Sequence, residues 1–167
     1  AESIRDSMLS ISGKLNTQMG GPSYRPFTIS SFGSSFYKIK DQEGPQFDRR
    51  SIYRMNVNSG KDPLLDVFDC PDPSVKAPRR RSTTTPLQAL SLMNNSLVQR
   101  LSKSFANRLR EESAEGKTDP VQRAWLYAFA REPSGPERDQ CEALVKEHGL
   151  ETACWAIFNA SEFLYVR

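Results

Sequence analysis

Apolar residues recur every three or four positions over residues 85–110, and this spacing predicts the longest helix of the chain. Thr85 is a suitable N-cap, and Pro86 suits the first helical position because no amide donor is needed there. The apolar face is formed by Leu87, Leu90, Met93, Leu97, Leu101, Phe105 and Leu109. A rotation of about 100° per residue places Asn94 inside this face, where its amide is expected to bond backbone groups of the preceding arm.

Four further stretches have helical periodicity or helix-start signals: 1–13, 120–130, 135–147 and 150–160. Asp119 and Pro120 open the second of these, and Ser134 with Glu137 forms a capping-box pattern before the third. Gly149 is expected to end the third helix. The apolar tail 161–167 is expected to dock against the helices.

Residues 22–81 lack helical periodicity and contain many turn signals. Weak alternation around Phe27 and Ile29 favours either a small strand element or an irregular arm, and prolines pin the connection over 61–81. We therefore predict a mainly α fold, with about five helices around one long central helix and a proline-rich, irregular or partly β arm. The 167 residues are expected to form a single domain, with the arm at 22–81 and the helical core at 85–160.

Composition excludes some function classes. No run of about 18 apolar residues is present, so no membrane span is expected. The net charge of +3 is too small to indicate nucleic acid as a partner. The chain starts at Ala1 without an initiator Met, and we expect it to be the carboxy-terminal part of a larger protein whose remainder is its first partner.

The charge changes sign along the chain. An acidic stretch is followed by a region, 76–110, that contains no Asp or Glu. The acidic residues are Asp62, Asp66, Asp69 and Asp72. The basic ones are Lys76, Arg79, Arg80, Arg81, Arg100, Lys103, Arg108 and Arg110. Neighbouring blocks of opposite charge favour internal neutralisation, with an anion-binding surface as the alternative.

The best candidate for a functional surface is the segment 79–85. Guanidinium groups, hydroxyls and helix-start amides would meet there, as in sites that hold sulfate, phosphate or carboxylate. Its candidate anion-binding residues are Arg79, Arg80, Arg81, Thr83, Thr84 and Thr85. The alternative is that the arginines clamp the acidic segment, which makes Asp69 and Asp72 structural. Asp66, Asp69 and Asp72 could also bind calcium, but Asp-Pro pairs are more typical of turns.

Metal or redox chemistry finds little support in the sequence. The three cysteines, Cys70, Cys141 and Cys154, are expected to be reduced and mostly buried, with a Cys141–Cys154 bridge as the alternative. His148, the only histidine, precedes Gly149 and is expected to cap a helix, because its spacing from the cysteines matches no strong zinc pattern. No haem-attachment, dinucleotide or phosphate-loop motif is present, so neither a metal nor a cofactor is expected.

Several motifs together resemble one known family over essentially the whole chain. They are Ile4-Arg5-Asp6, Met19-Gly20-Gly21-Pro22, Arg49-Arg50-Ser51-Ile52-Tyr53-Arg54, Phe68-Asp69-Cys70-Pro71-Asp72-Pro73-Ser74, Thr83-Thr84-Thr85-Pro86-Leu87-Gln88-Ala89-Leu90, Met93-Asn94-Asn95 and Asn159-Ala160-Ser161-Glu162-Phe163-Leu164-Tyr165. This combination resembles the planctomycete-specific domain family of unknown function, whose members often accompany c-type cytochrome modules. The resemblance implies a large exported protein, extracytoplasmic in the periplasm or secreted, and offers no catalytic residues to carry over.

Three functional hypotheses follow. The first is a non-catalytic structural or interaction module of a large exported multidomain protein. The second is part of an enzyme that acts on anionic polysaccharide or a related polymer, with its anion-binding patch at Arg79–Thr85. The third, a nucleic-acid binder, would show a steep dependence of DNA binding on salt. Whether any catalysis occurs stays open at this point.

Overall fold

The structure, a computed structural model, describes residues 1–32, 34–58, 60–114 and 119–165, with the side chains of 31 and 32 and of 34–36 left out. It confirms the mainly α class. The α-helices of the described residues are α1 (Glu2–Ile11), α2 (Pro63–Val67), α3 (Pro86–Asn94), α4 (Ser96–Ala114), α5 (Pro120–Phe129), α6 (Gly135–His148), α7 (Leu150–Phe158) and α8 (Ser161–Leu164). The strands are β1 (Phe27–Phe32) and β2 (Ser34–Ile39), and a 3₁₀ turn spans Ser51–Tyr53.

The predicted long helix is wrong in one respect: it is two helices, interrupted at Asn95. The Asn95 side chain accepts a hydrogen bond from the Leu97 amide (3.0 Å), so Asn95 is the N-cap of α4. The interruption also shifts the buried face. Leu92 is buried on α3, whereas Leu87 and Met93 are 58% and 46% exposed.

Other predicted helix boundaries are confirmed. The Asp119 carboxylate accepts the Val121 and Gln122 amides at the start of α5, with Pro120 in the first turn. At α6, Glu137 accepts the Ser134 amide (2.8 Å), and the helix ends before Gly149. The short helix α8 in the tail was not foreseen.

The chain divides into two compact units, and the division falls within α1 and α3. The first unit comprises Ala1–Ser7 and Leu15–Ser91. It contains the antiparallel hairpin β1–β2, in which Phe27 pairs with Ile39, and this hairpin is the partly β option predicted for the arm. Apolar residues buried in this unit are Tyr24, Phe27, Leu64, Leu65 and Phe68.

The second unit comprises Met8–Lys14 and the described part of Leu92–Arg167. Here α4 packs against α5 and α7, and α6 packs against α7. Phe105 is fully buried and stacks on Phe158, with 5.9 Å between the ring centroids. Ala124, Cys154 and Leu109 are also buried in this core. The single-domain organisation stays a prediction.

No helix of the described residues combines the length and the apolar character that crossing a membrane requires.

Candidate functional site

Asp69 follows α2 in a conformation that ends the helix. Its φ of 62° is left-handed, and Asp tolerates this region better than most residues because its short side chain can bond locally. The Cys70 amide donates to the Leu65 carbonyl and the Asp69 amide to the Asp66 carbonyl, as in a Schellman motif. Pro71 then cannot continue a helix. The backbone conformation of Asp69-Cys70-Pro71 therefore ends helix α2.

The Asp69 carboxylate is turned toward the segment that precedes α3. It accepts the Thr83 amide (2.7 Å) and the Thr83 hydroxyl (2.9 Å). Thr83 is thereby tied to the end of α2, and its hydroxyl is engaged in the protein's own structure. The structural role of Asp69 stays a prediction; in the structure its carboxylate is bonded to Thr83 and not to an arginine.

Thr85 and Gln88 form a reciprocal cap at the start of α3. The Gln88 amide donates to Thr85 Oγ1 (3.3 Å), and the Thr85 amide donates to Gln88 Oε1 (3.2 Å). This confirms Thr85 as the N-cap and Pro86 as the first helical residue. The two groups that an anion would use at this helix start, the Thr85 hydroxyl and the Gln88 amide, are bonded to each other.

Gln88 also joins three segments through its side-chain amide. Its Nε2 donates to the Val67 carbonyl (3.1 Å) and the Thr83 carbonyl (3.0 Å), and the residue is only 4% exposed. The position lies on the predicted polar side of the helix, so sequence reasoning missed it. The usable signal is the Thr-Pro-x-Gln spacing, which places a Gln at the third helical position.

Replacing Gln88 with Leu is expected to lower the free energy of unfolding by about 2 kcal/mol, because two carbonyls lose their buried donor. Leu has nearly the same volume, so the loss reports hydrogen bonding and not a cavity. Urea unfolding followed by circular dichroism measures it. Ala89→Leu, at an exposed position of the same helix, is the control. Equal stability of Gln88→Leu and the parent would contradict this role.

Arg80 is held by Glu2. Arg80 Nη1 and Nη2 donate to the two carboxylate oxygens of Glu2 at 2.8 and 2.9 Å, a bidentate pair. The hydrogen bond from Arg80 is the largest cause of a lowered pKa at Glu2. Arg80 remains 63% exposed, so the pair lies at the surface.

Two of the acidic residues share one lysine. Lys61 Nζ lies 3.4 Å from Asp66 and 3.5 Å from Asp72. The Asp72 pKa is lowered, chiefly by the hydrogen bond from the Ser74 amide (2.8 Å), which closes an Asx turn. The predicted clamp between arginines and acidic segment thus has other members: Lys61 holds Asp66 and Asp72, and Arg80 holds Glu2.

These groups surround a cleft of about 430 Å³ in the first unit. Its lining runs from Lys61 and Asp66 through Asp69–Asp72 to Val75–Arg81. Lys76, Arg79 and Arg81 are exposed and form no ion pair with any residue that the structure describes.

The predicted anion-binding residues therefore separate into two groups. Arg79, Arg80 and Arg81 line the cleft, whereas Thr83 and Thr85 do not and have hydroxyls bonded within the fold. Thr84 is exposed and takes part in an interaction of its own. Asn94 is exposed at the end of α3, so the prediction that it faces the core is wrong. The break at Asn95 explains this, because the apolar face does not continue across it.

A buried arginine network, which sequence reasoning did not find, accounts for two further motifs. Arg5 is 7% exposed and donates to the carbonyls of Arg49 (2.9 Å) and Phe47 (2.8 Å). Asp6 accepts the amide (2.9 Å) and the hydroxyl (2.7 Å) of Ser51. These hydrogen bonds join the first half of α1 to the segment 47–51, which lies between β2 and α2. The signal that the sequence offered for this network is the adjacent charged pair Arg5 and Asp6 within a short helix.

Arg49 holds the glycine turn at 18–22. It is 7% exposed, donates to the Pro22 carbonyl (2.8 Å) and the Gly20 carbonyl, and stacks over the Tyr53 ring at 4.0 Å. A guanidinium can serve several carbonyls at once because its five N–H donors form a rigid fork. Backbone carbonyls of the motif Met19-Gly20-Gly21-Pro22 therefore accept hydrogen bonds from Arg49, which belongs to the motif Arg49–Arg54.

The cysteines and the histidine do not assemble into a site. Cys141 and Cys154 are buried as free thiols, and burial raises their pKa values to about 11 and about 12. His148 is exposed at the end of α6. No group of three His, Cys, Asp or Glu side chains among the described residues has an arrangement that could hold a metal ion.

Comparison with protein-family models identifies a family that covers most of the chain. The family model PSD1, described as a protein of unknown function (DUF1553), matches residues 1–145. Searches of the curated proteins and of the solved structures each return no match.

Proposed function

Because the chain belongs to the PSD1 family of proteins of unknown function (DUF1553), we propose that it is a non-catalytic structural or interaction module. We place it in a large exported multidomain protein outside the cytoplasm, on the resemblance of its motifs to the planctomycete-specific family. An association with cytochrome modules belongs to the same proposal.

The observation that carries the proposal is the use of the motif side chains. The side chains of Arg5, Arg49, Asp69 and Gln88 each form hydrogen bonds with backbone amides or carbonyls of the first unit. A catalytic group must instead present its donor, acceptor or nucleophile to a substrate. These motifs fix an irregular arm in place, which is the work of a scaffold.

The test is a turnover assay of the purified chain on chromogenic glycosides and esters. No rate above that of the heat-unfolded sample is expected. Asp72→Asn tests any activity found, since Asp72 is one of the two cleft carboxylates that pair with the exposed Lys61. A rate that copurifies with the chain and is lost in Asp72→Asn would overturn the proposal.

A second proposal rests on the cleft itself. Exposed Arg79 and Arg81 beside carboxylates would suit part of an enzyme that acts on anionic polysaccharide. The internal bonding of Thr83 and Thr85 reduces the predicted Arg79–Thr85 patch to its arginines. Release of reducing ends from a uronic-acid polysaccharide by the chain would favour this second function, and no release would remove it.

A further inference from the structure

We infer that the cleft lined by residues 61–81 binds an acidic peptide segment of a partner protein, through Lys76, Arg79 and Arg81. The inference rests on the proposed function, in which the chain is an interaction module, and it adds the chemical class of the partner. It also differs from the sequence-based patch, because the threonines are excluded and Lys76 is added.

The first argument is charge. Each carboxylate of the described residues that borders the cleft has a partner within the first unit: Asp66 and Asp72 share Lys61, and Asp69 accepts hydrogen bonds from the uncharged Thr83. Arg80 is held by Glu2. The three remaining cations have no ion-pair partner among the described residues. The lining keeps a small net positive charge, because its five cations outnumber its three carboxylates together with Glu2 at its edge.

The second argument is preorganisation. The lining segment contains Pro71 and Pro78, which fix φ, and the Asx turn at Asp72 bonds Ser74. Its ends are bonded as well, since Asp69 closes α2 and Arg80 is paired to Glu2. A surface held in this way loses less conformational entropy when it orders around a ligand.

The third argument selects the class of partner. Among the described residues no aromatic side chain lines the cleft, so this lining offers no stacking surface for unpaired bases. Its neutral lining is Cys70, Pro71, Val75, Ala77 and Pro78, beside five cations and three carboxylates. This mixture suits a peptide that carries both carboxylates and small apolar side chains.

The fold contains an example of the same recognition. Glu2 of the amino-terminal segment reaches Arg80 with two hydrogen bonds of 2.8 and 2.9 Å. Arg79 and Arg81 flank that arginine and offer the same fork to carboxylates of another chain. The cleft thus already binds one glutamate at its edge, and the partner would extend this pattern.

The probe is an octaglutamate peptide, with octaglutamine as the uncharged comparison, titrated against the chain by fluorescence anisotropy. We expect octaglutamate to bind and octaglutamine not to bind, with affinity falling as salt is raised because the contacts are exposed. The combined variant Lys76→Gln/Arg79→Gln/Arg81→Gln is expected to raise Kd by about tenfold or more, which follows from losing three charged contacts of modest strength.

The matched control is Arg25→Gln/Lys38→Gln/Lys40→Gln. It removes three positive charges from exposed positions of the first unit whose side chains lie outside the cleft and form no ion pair with the described residues. Circular dichroism confirms that both variants are folded. Weaker octaglutamate binding in the cleft variant alone supports the inference, whereas equal weakening in both variants shows unspecific attraction and overturns it.

The remaining outcomes are also decisive. Failure of octaglutamate to bind at low salt overturns the inference and leaves the scaffold proposal intact. Tighter binding of a DNA duplex or of a uronic-acid oligosaccharide than of octaglutamate overturns the choice of a peptide. Turnover in the assay above would remove the non-catalytic proposal without affecting binding by the cleft, so the two failures are distinguishable.

Discussion

Replacing Arg49 with Met is expected to lower the free energy of unfolding by about 3 kcal/mol, the scale of losing a buried charged hydrogen-bond network. Met keeps the apolar stem of the side chain but cannot donate to the Pro22 and Gly20 carbonyls. Arg49→Lys is expected to rescue little, because an ammonium lacks the planar fork and the stacking on Tyr53.

Arg50→Met provides the matched control for Arg49. The side chain of the neighbouring arginine is exposed and makes no hydrogen bond or ion pair with the described residues, so its replacement should change stability by less than about 0.5 kcal/mol. Urea unfolding measures both variants. Hydrogen exchange at the Met55 amide, which bonds the Tyr24 carbonyl at 2.9 Å, localises the effect to the first unit. Equal stability of Arg49→Met and Arg50→Met would contradict the network.

Replacing Phe105 with Ala is expected to destabilise the second unit by about 4 kcal/mol, through lost burial and the cavity that remains. Phe105 has no exposed surface and contacts two rings, Phe158 at 5.9 Å and Tyr127 at 6.2 Å between centroids. Both neighbours are large and fixed on other helices, so the site can collapse only partly.

Leu126→Ala is the control for Phe105. Leu126 is 39% exposed on α5, and its truncation should cost about 1 kcal/mol or less because little buried surface is lost. The fluorescence of Trp125 and Trp155, which belong to the same unit, follows unfolding of both variants in urea. A loss for Phe105→Ala no larger than that for Leu126→Ala would show that Phe105 is not central to this core.

The helix starts could be predicted from the sequence because their caps are local. Thr85, Asp119 and Glu137 act within three residues of the amides that they engage, so spacing alone identifies them. The break at Asn95 was missed because apolar periodicity continues across it. A single side chain that caps α4 was enough to end α3.

The arginine network could not be predicted in the same way. Arg5 and Arg49 bond backbone carbonyls, and any residue supplies a carbonyl, so the sequence carries no mark of the acceptor. The cleft could be predicted only in part, unlike the helix starts, which could be predicted, and the arginine network, which could not. Its arginines were identified by composition, but the partner of Arg80 was not, because Glu2 belongs to a distant segment.

The Glu2–Arg80 pair and the arginine network affect the rates at which the first unit folds and unfolds. Arg5 and Phe47 are 42 residues apart in the chain, and Glu2 and Arg80 are 78 apart. Contacts of this separation close large loops, whose entropy must be lost before the bonds form, so we expect them to form late in folding. Bonds that form after the transition state leave the folding rate almost unchanged and slow unfolding instead. These polar contacts would then slow unfolding and so prolong the lifetime of a unit that contains little helix.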